Sequence, residues 1–182
     1  ILLGNTGSGK TTFLNLLMGL INPSKGKIKI DNLDLKNKEY LWHQNVDYVS
    51  QSTKLLDTTV AENIRFFYPH KKNNRELNEI AKILDIYDIL NKRTGHNGKL
   101  ISGGQAQRIG IARALYGGKN TIILDEATNA LDIKLEKKIL GRLFRLNKTI
   151  IFVTHRFTFK FFIKSYYLLE NKKLKKMKVS NV

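Results

Sequence analysis

The chain has 182 residues, 42% of them hydrophobic, which is enough for a single domain with a sizeable core. It contains no cysteine, which excludes a disulfide framework, a thiolate metal site and a cysteine nucleophile. The formal net charge of +17 suits an anionic partner, but the lysines are scattered (densest at Lys172, Lys173, Lys175, Lys176 and Lys178), and a solvated basic surface is the preferred reading.

The sequence opens with ILLGNTGSGKTT. A short apolar run ends at Gly4, and a glycine-rich turn closes on Gly9, Lys10 and Thr11. Phe13, Leu14, Leu16, Leu17 and Leu20 then follow a helical pattern. Residues 27–30 (KIKI) alternate as a half-buried strand does, after a turn supplied by Pro23, Ser24 and Gly26. Residues 31–37 read as a polar loop, and 39–44 as one or two helical turns. Residues 46–49 form a short strand leading to Ser50 and Gln51. A helix is predicted over 59–67, capped by Thr58 or Thr59 and stopped by Pro69, with an exposed charged link over 71–75.

Leu77, Ile80, Ala81 and Leu84 recur at helical spacing, and the pattern continues weakly through Ile86, Ile89 and Leu90 until Gly95 and Gly98 break it. Residues 102–116 open with SGGQ and become a helix with Ile109, Ile111, Ala112 and Leu115 on its apolar side; Gly117 and Gly118 end it. Residues 121–124 are a fully apolar strand that stops at Asp125 and Glu126. An amphipathic helix follows over 133–146 with Asp132 as its cap. Residues 149–153 are another apolar strand, ending at Thr154 and His155, and residues 166–170 and 174–179 read as a terminal hairpin.

Apolar, non-alternating strands separated by helices predict an α/β fold with a mostly parallel sheet covered on both faces. Ligands bind such sheets outside the carboxyl ends of the strands. The glycine turn after Gly4, Gln51, the pair Asp125 and Glu126, and His155 all fall at that rim.

Strand, G-x-x-x-x-G-K-[ST] and helix together form the phosphate-binding loop pattern. Gly4, Gly7 and Gly9 let the backbone curl so that several N–H groups point at one anion, and the helix N-terminus adds its positive end. Lys10 then reaches the β- and γ-phosphates, and the Thr11 hydroxyl ligates Mg²⁺. Asp125 fits the second acidic motif, which holds Mg²⁺; Glu126 can take a proton from attacking water. Without the loop, two acids capping a strand end would be the plainer reading. Gln51 can orient water or contact Mg²⁺, and His155 can donate to a γ-phosphate, although each residue type alone is more often structural. Ser102, Gly103 and Gly104 at a helix start offer a second anion-binding geometry, or simply a capped helix.

In order along nearly the whole chain, these motifs resemble those of the nucleotide-binding domain of ATP-binding cassette (ABC) transporters. GNTGSGKTT resembles Walker A, which makes Gly4, Asn5, Thr6, Gly7, Ser8, Gly9, Lys10, Thr11 and Thr12 the expected nucleotide contacts. VSQ resembles the Q-loop, TIILDE Walker B, NALD (residues 129–132) the D-loop, and Thr154–His155 the switch histidine. ISGGQ resembles the family signature, with Ile101 in place of the usual leucine.

The resemblance implies a P-loop NTPase fold with a helical subdomain at about residues 59–116. It implies ATP and Mg²⁺ as ligands, with Glu126, His155 and Gln51 catalytic and Thr11, Gln51 and Asp125 at the metal. It also implies a head-to-tail dimer, in which these groups face Ser102, Gly103, Gly104 and Gln105 of a second ABC ATPase domain, with Asp132 at the same junction. Hydrolysis would then drive transport through membrane domains, fused or separate, at the cytoplasmic face of the cell membrane. TTVAENI (58–64) and TGHNG (94–98) resemble the exporter pattern, although His96 stands where exporters often carry glutamate. Gln51 and residues 59–93 are the expected contact with the membrane domains.

Residues 1–182 are expected to form one ABC ATPase domain, incomplete at its N-terminus, since the family's adenine-stacking aromatic and first antiparallel strands lie upstream of the loop. ENKK, residues 170–173, lacks the usual hairpin glycine. The alternative is a soluble ABC ATPase acting on nucleic acid or ribosomes, which the charge supports. The short interval between Walker A and the signature, and the single cassette, argue against it, and specific nucleic-acid binding is not expected. A degenerate cassette is a third reading, opposed by the presence of Lys10, Ser102, Glu126 and His155.

Overall fold

The structure is a computed structural model and describes residues 1–68 and 73–179. Pro69, expected to stop a helix, and the first part of the expected link over 71–75 lie outside the described residues.

A six-stranded sheet runs through the middle of the molecule, built from β1 (Leu2–Leu3), β4 (Val46–Val49), β5 (Thr121–Asp125), β6 (Thr149–Thr154), β7 (Ser165–Glu170) and β8 (Lys173–Lys178). Its order is β4-β5-β6-β1-β7-β8. All neighbours are parallel except β7 and β8, so the mostly parallel sheet is as expected. The strands are continuously apolar because both faces are covered. Ile122, Leu124 and Phe152 face one core cluster, and Ile123 and Val153 face the other, the two-residue period of a strand. The first cluster is completed by α3 (Val60–Arg65), α4 (Asn74–Ile83), α5 (Gly103–Gly117) and α6 (Ile133–Leu143). The second is covered by α1 (Lys10–Leu17) and α2 (Glu39–Asn45), through Leu14 and Trp42.

The helix starts follow from capping chemistry. Thr59 accepts from the Glu62 N–H at the start of α3, and Asn73 from the Glu76 N–H at the start of α4. Ser102 and Gln105 form a capping box on α5, which ends on Gly118 in the left-handed region. Asp132 accepts from the Leu135 N–H and opens α6. Two arginines then tie the helices together. Arg108 of α5 donates to the carbonyls of Leu84 and Asp85, and Arg142 of α6 to those of Lys82 and Ile83, so the free end of α4 is satisfied from both neighbours.

The structure departs from the sequence reading in three places. Only Lys29–Ile30 (β2) of the KIKI stretch is a strand, and it pairs with β3 (Leu33–Asp34), inside the stretch read as loop. Asp31 and Asn32 have φ of 48° and 67°, the two-residue hairpin turn that these short polar side chains tolerate. The helix opened by Asp132 stops at Leu143, because Leu146 donates back to the Leu143 carbonyl in a tighter turn. Between β6 and β7 a 3₁₀ turn at Thr158–Phe161 buries Phe159, which carried no assigned role. The terminal hairpin forms without glycine, its turn at Asn171 and Lys172 having φ of 49° and 60°. Among the described residues, no helix is long and apolar enough to cross a membrane.

Candidate functional site

The site grows from the carboxyl ends of four parallel strands. β1 stops at Leu3, and the chain turns at Gly4, where a Cβ would lie 2.6 Å from the Ser8 hydroxyl and 2.9 Å from the Leu169 carbonyl. Gly9 caps α1 at φ 101°, a conformation that side chains rarely adopt. The loop thus delivers Lys10 into the first helical turn, 8% exposed. Its ammonium donates to the carbonyls of Gly4 at 2.8 Å and Asn5 at 3.0 Å, across the mouth of its own loop. Asn5, Thr6, Gly7, Thr11 and Thr12 are exposed around it, and Ser8 is half-buried.

Two strands over, β5 ends at Asp125, whose Oδ2 accepts from the Tyr48 hydroxyl at 2.6 Å. Tyr48 lies on β4 beside Ile123, so register alone brings the phenol to the end of β5. Burial, then the bond to Asp125, raises the phenol above its usual value. Glu126 takes a left-handed φ of 51°, and its N–H donates to the Val153 carbonyl on β6. That turn aims the carboxylate inward, with the side chain 17% exposed. Its Oε1 lies 3.4 Å from Lys10 Nζ, and its Oε2 lies 3.7 Å from His155 Nδ1 and accepts from Asn129 Nδ2 at 2.7 Å. His155, past the end of β6, is 46% exposed on its side chain.

Gln51 is exposed beyond β4, and what ties it to the centre is its backbone. Its carbonyl accepts from Gln107 Nε2 at 3.1 Å. The same amide lies 3.4 Å from the Glu126 carbonyl, and Gln107 Oε1 accepts from the Ala130 N–H at 2.8 Å. Gln107 therefore clamps the loop after β4 to both ends of the loop between β5 and α6 while only 5% exposed. Its signal is in the sequence, since it stands in the buried stripe Gln107, Ile111 and Leu115 at four-residue spacing, a polar residue where an apolar one is due. Asn129 is marked in the sequence only as the first residue of the D-loop motif, and Tyr48 carries no comparable signal.

Lys10, Glu126, His155 and, through backbone bonds, Gln51 come together. Ser102, Gly103, Gly104 and Gln105 do not join them. Among the described residues, no hydrogen bond or ion pair links them to residues 4–12; Ser102 is exposed and occupied only by its cap. They pack instead against the loop after Glu126, where a Cβ on Gly104 would lie 3.0 Å from the Ala130 carbonyl. Asp132 is exposed and caps α6.

A glycine loop, a helix N-terminus and a lysine can cradle phosphates. The Thr11 hydroxyl, the Asp125 carboxylate and the Gln51 side chain are oxygen donors with a single carboxylate. Such a set fits Mg²⁺, which takes one or two carboxylates together with substrate phosphates.

A family profile for ABC transporters matches residues 1–129. The chain belongs to the ABC transporter family. Its similarity to ATP-dependent lipid A-core flippases is 39% identity for Yersinia pestis bv. Antiqua (strain Antiqua), and 38% for both Photorhabdus laumondii and Escherichia coli strain K12. Each alignment takes in 85% of this ABC chain and 28% of the relative, so the chain spans just over a quarter of the length of these curated relatives. A bacterial Atm1-family ABC exporter with ATP bound superposes with a TM-score of 0.86 at 28% identity, over 96% of this chain and 32% of that one. The α/β fold read from the sequence is that of the family's ATPase domain.

Proposed function

We propose that this chain is the ATPase domain of an ABC exporter, binding ATP with Mg²⁺ and hydrolysing it in a head-to-tail dimer. The observation that carries the proposal is the Glu126 carboxylate, held between Lys10 at 3.4 Å and His155 at 3.7 Å beside the phosphate loop. The backbone of residues 4–12 and the Lys10 ammonium bind the phosphates, Lys10 exchanging the carbonyls of Gly4 and Asn5 for the β- and γ-phosphate oxygens. Glu126 accepts the proton of the attacking water, and His155 donates to the γ-phosphate. Thr11, Asp125 and Gln51 would hold Mg²⁺, which when bound neutralises charge developing on the phosphate oxygens.

Ser102, Gly103, Gly104 and Gln105 are exposed or half-buried and free of their own phosphate loop, which suits them to the γ-phosphate on a second ATPase domain. In this reading, residues 59–116 form the helical subdomain, and Gln51 with residues 59–93 meets the membrane domains at the cytoplasmic face of the cell membrane. The flippase and exporter relatives support export as the direction of transport.

Glu126→Gln in the full protein tests this. ATP should still bind, and hydrolysis should fall by about 10²- to 10⁴-fold, the usual worth of a positioned base. A dimer should accumulate with ATP on size-exclusion chromatography. Hydrolysis at the wild-type rate would remove Glu126 from this role.

A further inference from the structure

We propose that Asn129 is a positioning residue for hydrolysis, holding Glu126 Oε2 so that Oε1 is the oxygen that takes the proton. The inference rests on Glu126 being the base. Asn129 Nδ2 donates to Oε2 at 2.7 Å. A carboxylate only accepts, so the amide must turn its NH₂ side toward Glu126. The amide oxygen, by contrast, is buried and has no partner among the described residues. The donor contact is therefore what the side chain is used for.

The amide is also delivered by a frame that does not depend on the Glu126 side chain, although the Asn129 N–H donates to the Glu126 carbonyl at 3.2 Å. The Asn129 carbonyl accepts from Arg156 Nη2 at 2.7 Å, and the Leu131 carbonyl from Arg156 Nη1 at 3.0 Å. Arg156 in turn lies 3.6 Å from Oε2 of Glu136, a fully buried carboxylate that also accepts from the Thr128 hydroxyl. From the other side Gln107 accepts the Ala130 N–H. The loop is thus gripped from the end of β6, from α6 and from α5, and Asn129 transmits that rigidity to one carboxylate oxygen. The other oxygen is left facing Lys10, on the phosphate side. The two oxygens are unequal before any ligand arrives.

Steady-state ATP hydrolysis by the full protein tests the role, using Asn129→Ala, Asn129→Asp and Asn129→Ser in both wild-type and Glu126→Gln backgrounds. Asn129→Ala should lower kcat about tenfold through misplacement of the base, with KM for ATP unchanged. Asn129→Asp, which sets a second carboxylate against Oε2, should lower kcat further, and Asn129→Ser, which keeps a donor, should recover part of the loss. None should lower the residual rate of Glu126→Gln. Unchanged kcat in both Asn129→Ala and Asn129→Asp, beside an inactive Glu126→Gln, overturns this inference alone. An equal loss in the Glu126→Gln background also overturns it, because the effect would then not pass through the carboxylate. Wild-type hydrolysis by Glu126→Gln overturns the base and this inference together.

Discussion

Gln107 and Lys10 are both buried polar side chains, and both spend their hydrogen bonds on backbone carbonyls of functional loops. In the proposed function Lys10 would trade these carbonyls for phosphate oxygens, which are better partners for an ammonium. For Gln107 the bonds are structural: it donates to the carbonyls of Gln51 and Glu126 and accepts from the Ala130 N–H. Gln107→Leu keeps the volume and removes every partner. It should destabilise the domain by about 1–3 kcal/mol, the cost of stranding buried backbone groups, as measured by denaturant unfolding. Lys10, Glu126 and His155 were legible in the sequence because each closes a short linear motif. Asn129 was legible only as the first residue of the D-loop motif, and Tyr48 was not legible at all. Their partners, Glu126 and Asp125, are reached by a tight turn in one case and by strand register in the other. Residue type alone does not encode either.

Among the elements, α4 shows how a helix end becomes a junction. Asp85, just past its end, has φ 60°, and its carboxylate lies 2.7 Å from Lys138 and 3.8 Å from Arg142 on α6. The Lys138 hydrogen bond, then the charges of Lys138, Arg142 and Arg108, lower the Asp85 carboxyl below its usual value against a smaller opposing effect of burial. A carboxyl lowered on folding stabilises the fold when ionised, so its contribution is present above the usual value of 3.8 and is lost as pH falls through the lowered one. Asp85→Asn keeps a residue that tolerates the left-handed region. It should cost about 0.5 kcal/mol at neutral pH, the scale of an exposed ion pair, and the gap should close in acid unfolding curves. Long periodic elements such as α5 and α6 were legible because amphipathic spacing and caps agree. The β2–β3 hairpin was not, since two-residue strands carry no period and the Asp31–Asn32 turn looks like any polar loop.

At the scale of the whole molecule, no hydrogen bond or ion pair among the described residues joins the phosphate loop to the signature at Ser102; Glu126 reaches Lys10, and the loop that follows it packs on Gly104. Ser102→Asp keeps a good N-cap and sets a negative charge where the signature would meet a γ-phosphate. Binding of a fluorescent ATP analogue to a single chain should be unchanged. Hydrolysis should fall about 100-fold, as expected for a like-charge contact across an interface. Equal activity would place the signature outside the reaction.

The order and chemistry of the motifs, the parallel sheet and the family were determined by sequence alone, because phosphate loops, caps and apolar strands are local patterns. Tertiary structure decided which of Glu126's oxygens faces Lys10, that Gln107 joins two loops, and that, among the described residues, no hydrogen bond or ion pair ties the signature to its own phosphate loop. These are matters of distance between segments far apart in the chain. They are settled by strand register, by the left-handed turn at Glu126, and by helix contacts that no short stretch of sequence contains.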